Sequence, residues 1–127
     1  MRGKLVHSPG HVIDLMATCV DLAGAAYPET YKDRTVDPMQ GVSLRKALSA
    51  QAIKREAPLF FEHENCAAIR DGRWKLVRLR NKPWELYDLH ADRTETNNLA
   101  KQNPQRVKEL ANKWQVWAER TKVFPKP

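Results

Sequence analysis

No stretch of this 127-residue chain approaches the roughly 20 consecutive apolar residues that a helix needs to cross a bilayer. With a mean hydropathy of −0.66 and 29% charged residues, a helical membrane span is excluded. Cysteine is scarce. Cys19 and Cys66 are the only two thiols, far apart in sequence, which excludes both a disulfide framework and a metal knuckle and reads as small buried thiols. After the basic Met1-Arg2-Gly3-Lys4, Leu5-Val6 runs straight into His7-Ser8-Pro9-Gly10. No apolar core of a signal peptide is present at this start, which leaves location open if the chain continues a longer one. There is no internal repeat and no low-complexity tract. What is present is 42% hydrophobic residues and four Trp, enough for one core in one domain or in part of a larger one. A net charge of +7 attracts nucleic acid, anionic lipid or acidic glycans; it fixes the sign of a partner, not its kind.

The patterning changes at residue 58. Before it, Val12, Leu15, Met16, Cys19, Val20 and Ala23 recur at three-and-four spacing, predicting a helix over 11–24 that Gly24 terminates. Residues 25–42 carry two prolines and no period and read as a loop anchored by Tyr27 and Tyr31. Ser43 is placed to cap a short helix over 44–50. After it, Leu59-Phe60-Phe61, Ala67–Arg70, Trp74–Leu79 and Trp84–Leu89 read as strands. Asp71-Gly72 predicts a type I′ turn, Asn81-Lys82-Pro83 a second turn, and short links between successive strands predict an antiparallel meander. Asp92 and Glu95 have the spacing of a capping box. Asn103 and Pro104 then open a long helix whose stripe of Val107, Leu110, Ala111, Trp114, Trp117 and Ala118 needs a surface to cover. The expected fold is α+β: about four antiparallel strands packed by the carboxy-terminal helix.

The run PLFFEHENCAAIRDGRWKLVRLRNKPWELYDLHADRTETNNL, Pro58 to Leu99, resembles the carboxy-terminal region of the arylsulfatase family. HVIDLMATCVDLAG and MQGVSL resemble family segments that precede it, with Ala17 where a proline is usual. The resemblance extends from about His11 to Phe124. It implies a sulfuric ester hydrolase of the alkaline-phosphatase-like class, with residues 1–57 as the tail of its catalytic domain and 58–127 as its small subdomain. The family uses a formylglycine nucleophile and a divalent cation, usually calcium, and is often exported or periplasmic; its substrates are sulfated small molecules or glycans. The partner implied is an amino-terminal catalytic domain upstream of this segment.

None of that machinery maps onto this chain. Cys66-Ala67-Ala68-Ile69-Arg70 departs from the C-x-[PS]-x-R nucleophile signature at its third position and falls on a predicted strand; Cys19 fails likewise. No adjacent Asp pair exists, and Asp88, His90 and Asp92 sit where turn chemistry alone explains them. No catalytic residue, metal ligand or cofactor is therefore assigned here. The resemblance places His63, Glu64 and Asn65 near the rim of the substrate cleft, as candidate substrate-binding residues. Asn65, Cys66 and Ala67 depart from the usual G, N and R, so a substrate preference does not transfer. On residues alone, His63 alternates with Glu62 and Glu64, facing the side of Leu59 and Phe61. The basic run Arg73–Arg80 splits its charges over two strand faces, which argues against a nucleic-acid stripe and for Arg stems packed on a core. Two functional classes remain: part of a sulfatase that completes the fold and lines the cleft, or a non-catalytic module for anionic glycans or other polyanions.

Overall fold

The computed structural model describes residues 3–124; the Met1-Arg2 start and the last three residues of the predicted subdomain lie outside them. The chain divides into two compact units, residues 1–56 and 57–127.

In the first unit, helix α1 spans Asp14–Ala23 and ends on Gly24, whose φ of 61° is the left-handed cap expected of glycine there. The helix buries the opposite face from the one its apolar spacing predicts. Asp14 and Ala17 are its buried residues, whereas Leu15 and Met16 are each 59% exposed, and Val12, Cys19 and Leu22 are also exposed. The reason is a polar stripe one helical face over. Asp14, Thr18 and Asp21 are spaced i, i+4, i+7, so they line up. Asp14 Oδ1 accepts the N–H of Val42 at 3.0 Å, Thr18 Oγ1 that of Leu44 at 2.9 Å, and Ser43 Oγ donates to Asp21 Oδ2 at 2.5 Å. Gly41 makes the approach possible, since a β-carbon there would lie 2.1 Å from the carbonyl oxygen of Ile13 and 2.9 Å from Asp14 Cα.

Asp14 is fully buried and also takes the N–H of His11 and the guanidinium of Arg55. Burial opposes its ionisation, but the hydrogen bonds from Val42 and His11 and the Arg55 charge together hold its carboxyl below the ordinary range. Within 25–42 the expected loop contains a two-stranded hairpin, β1 (Thr30–Tyr31) and β2 (Arg34–Thr35), turned by Lys32 and Asp33 at positive φ. Tyr27 and Tyr31 are both exposed, so neither anchors the loop. Helix α2 is shorter than expected, Arg45–Leu48, and Ser43 Oγ accepts the Arg45 N–H while donating to Asp21.

The second unit is a four-stranded antiparallel meander, β3 (Leu59–His63), β4 (Cys66–Asp71), β5 (Trp74–Arg78) and β6 (Glu85–Asp88), in sequential order. Register aligns Phe60, Ile69, Leu76 and Leu86 in one row across all four strands. Helix α3 (Pro104–Arg120) sets Leu110, Trp114 and Ala118 over that row, closing a core in which Ile69, Leu76, Leu86 and Leu110 are fully buried. Each such side chain contributes about 1.5–3 kcal/mol of transfer free energy. Phe60 stacks flat on Trp117, ring centroids 5.1 Å apart. Asn103 holds the N-cap position, but its side chain donates to Leu99 O instead of capping the helix.

Both sheet edges are managed. On β3, the Phe61 carbonyl accepts Trp114 Nε1–H at 3.0 Å. Along β6, Leu99 N–H bonds Leu86 O, and Asn98 Oδ1 takes the Leu86 and Ala100 N–H groups; an edge so occupied offers no template for another strand. Asp92 does not start a helical turn. Its carboxylate takes the N–H groups of Thr96 and Asn97, and Glu95 has a positive φ.

Candidate functional site

Because β3–β4 and β5–β6 are both antiparallel pairs, their connecting loops lie at the same end of the sheet. The first is a two-residue turn. Glu64 and Asn65 have φ of 49° and 69° between the paired His63 and Cys66, the double left-handed pattern of type I′. Sequence reasoning assigned that turn type to Asp71-Gly72. There the central pair is Gly72-Arg73 with only Gly72 at positive φ, the type II′ pattern. The second loop carries Asn81, also left-handed at φ 58°.

Between these loops, on the α3 side, lies a cleft of about 340 Å³. Asn65 and Glu62 border it from the first hairpin, Arg78, Asn81 and Lys82 from the second, with Trp114 and Phe124 as its apolar wall. Glu62 Oε1 accepts the Asn65 N–H at 3.0 Å, tying the turn to the strand. Arg78 follows Leu76 on the core face of β5, and its guanidinium lies 4.6 Å from the Trp84 ring centroid and 5.6 Å from that of Trp114. Stacking of this kind fixes a guanidinium without consuming its donors.

The three candidate residues read from sequence do not share one surface. Asn65 lines the cleft; His63 is exposed on the other face of the sheet, in line with Leu59 and Phe61; Glu64 stands at the exposed tip of the turn. Because Glu64 is a turn residue, it shares no strand face with Glu62. Arg78, Asn81 and Lys82 went unrecognised as site residues. The signal in sequence was Arg78 falling on the Trp74–Leu76 face, but only strand register sets it beside Asn65 and Trp114.

Asp88, Asp92 and Glu85 elsewhere in the unit are committed to structure. Asp88 binds the Arg73 guanidinium, with Nε at 2.8 Å, and also accepts the His90 N–H. The Arg73 hydrogen bond is the main cause holding its carboxyl below the usual range. The Asn97 N–H does the same for Asp92. Burial and then the hydrogen bond to Glu85 push the Tyr87 phenol up to about 12. A hard divalent cation wants several uncommitted oxygens around one point. Among the described residues no group of three or more His, Cys, Asp or Glu is placed to hold one. Cys66 opens a strand and Cys19 lies exposed on α1, neither in the signature that yields formylglycine.

These elements match one family throughout. A family model described as N-sulphoglucosamine sulphohydrolase, C-terminal, fits residues 5–121. The chain belongs to this sulfatase family. Choline-sulfatase of Rhizobium meliloti (strain 1021) is 36% identical over 104 residues, covering 76% of this chain and 19% of that enzyme. N-acetylgalactosamine-6-O-sulfatase of Bacteroides thetaiotaomicron is 32% identical over 114 residues, covering 78% and 21%. Among solved structures, Ps i-CgsB superimposes with a TM-score of 0.69 at 23% identity, covering 87% of this chain and 24% of that one, and shares its fold. The chain spans about a fifth of the length of the curated relatives it matches. As a sulfatase carboxy-terminal region, it carries its family-like motifs in structural roles. Gly41 of GVSL admits the loop to α1, Asp88 of WELYDL pins Arg73, and Asn98 of NLA seals the β6 edge.

Proposed function

We propose that this chain is the carboxy-terminal portion of a sulfatase, completing its fold and lining its substrate cleft, while the formylglycine and the cation belong to an amino-terminal catalytic domain. As substrate contacts in that sulfatase cleft we name His63, Glu64 and Asn65 on the β3–β4 hairpin; of the three only Asn65 also lines the smaller cleft beside α3. The observation that carries this reading is the inverted burial of α1. A helix that commits its polar stripe to its own unit and presents Leu15, Met16, Cys19 and Leu22 outward is shaped for a second apolar surface. Its occupant is the rest of the sulfatase chain. The substrate is a sulfate ester. Relatives named for choline and for N-acetylgalactosamine sulfates match over the same fold, so its alcohol is set by residues outside the shared motifs.

The alternative, a module that binds anionic glycans without catalysis, draws on the net charge of +7 and on the cationic cleft. Reading the coding sequence immediately upstream of Met1 separates the two. A sulfatase portion predicts an in-frame C-x-[PS]-x-R signature together with a paired Asp. A ribosome-binding start preceded by unrelated sequence contradicts it and favours the module.

A further inference from the structure

We propose that the cleft between the β3–β4 turn and the β5–β6 loop is a binding site for a sulfated saccharide, with the Arg78 guanidinium as its oxyanion anchor. Arg55, Arg73 and Arg106 each meet a carboxylate. Arg78 meets only the faces of Trp84 and Trp114, and among the described residues its N–H groups have no acceptor. A guanidinium held rigid by aromatic stacking and lining an open cleft is prepared for a planar or tetrahedral oxyanion.

Lys82, on the facing loop, forms no ion pair among the described residues and adds a second positive charge to the same space. Asn65 and Asn81 supply carboxamides that donate and accept, and both are held in left-handed turns. Among the described residues Glu62 is the single carboxylate in the lining. Its negative charge, fixed to the Asn65 N–H, disfavours a densely charged polyanion such as nucleic acid. Trp114 and Phe124 provide a wall for the C–H face of a sugar ring. A volume of about 340 Å³ suits one or two sugar units at the small end of ligand clefts. One localised anion, several hydroxyls and an apolar face together describe a sulfated saccharide. The choice of sulfate over carboxylate rests on the sulfatase reading; the site itself rests on its own residues.

The test titrates the purified chain with N-acetylglucosamine 6-sulfate, following tryptophan fluorescence, against N-acetylglucosamine, inorganic sulfate and glucuronic acid. Expected is saturable binding of the sulfated sugar that exceeds all three controls. Arg78→Gln weakens it at least about tenfold, as loss of a charge-assisted pair requires, and Lys82→Gln weakens it severalfold at an unchanged denaturation midpoint. Lys82 sits in an exposed loop, so its variant keeps the test decisive if Arg78→Gln unfolds. The proposal is overturned by the absence of saturable binding, by equal binding of any control, or by indifference to Lys82→Gln. Failure of the sulfatase reading shows separately, in the upstream coding sequence.

Discussion

Replacing Gly41 by alanine puts the polar seam of the first unit to a quantitative test. The added methyl would sit 2.1 Å from the Ile13 oxygen, 2.6 Å from the Ile13 carbonyl carbon and 2.9 Å from Asp14 Cα. All three are backbone atoms at the start of α1, so no side chain can swing aside, and the 41–45 segment must retreat. Three hydrogen bonds go with it: Val42 N–H to the Asp14 carboxylate, Leu44 N–H to Thr18 Oγ1, and Ser43 to Asp21. Counting about 1.5 kcal/mol for the bond to the buried Asp14 carboxylate and about 1 kcal/mol for the bond to Thr18, and nothing for the Ser43 bond to the solvent-exposed Asp21 carboxylate, gives a loss of roughly 2.5 kcal/mol. That corresponds to about a hundredfold faster amide exchange at Val42 and Leu44. Hydrogen exchange followed by NMR reads it directly. The four tryptophans all lie in residues 57–124, so their fluorescence reports whether the second unit still unfolds normally. Unchanged protection at Val42 and Leu44 in Gly41→Ala would refute the seam.

Asp14→Asn leaves Arg55 buried without its charge and is expected to cost about 3 kcal/mol or more, read as a lower urea midpoint. Since the folded carboxyl is held below its ordinary value, its contribution is complete above pH ~4 and is lost as pH falls further; the variant should show a shallower acid limb. Tyr87, raised to about 12, contributes stability that is complete below pH ~10 and disappears as pH rises beyond it; ultraviolet titration should find one of the three tyrosines ionising last. Glu64→Gly relieves a left-handed non-glycine residue at φ 49° and should raise the unfolding free energy by about 1 kcal/mol, read as a higher urea midpoint at an unchanged slope. Purified chain should turn over no aryl sulfate, and turnover abolished by Cys66→Ala would show that the nucleophile has been misplaced.

Most of the second unit was legible because its signals are local. Strand alternation, the Asn103-Pro104 start and the Leu110–Trp114–Ala118 stripe each follow from period and turn chemistry, and they assemble as a meander under a helix. The type I′ turn at Glu64-Asn65 was missed because neither residue is glycine. Strand pairing, with Phe60 to Ile69 in register, forces the positive φ there. The orientation of α1 was illegible for a different cause. Its apolar spacing is genuine, but the Asp14, Thr18 and Asp21 partners lie 22 to 28 residues away along the chain. Periodicity carries no information on such distant partners. The cleft around Arg78 likewise depends on register across three strands, so Asn65 could be singled out while Asn81 and Lys82 could not.

A hydrophobic fluorescent dye added to the purified chain measures whether α1 carries a face made for the rest of a sulfatase. Strong enhancement that falls sharply in a Leu15→Lys, Met16→Lys double variant, with the hydrogen-bonded seam still protected from exchange, is the predicted result. A chain that leaves the dye dark, or an enhancement indifferent to those two substitutions, would contradict it.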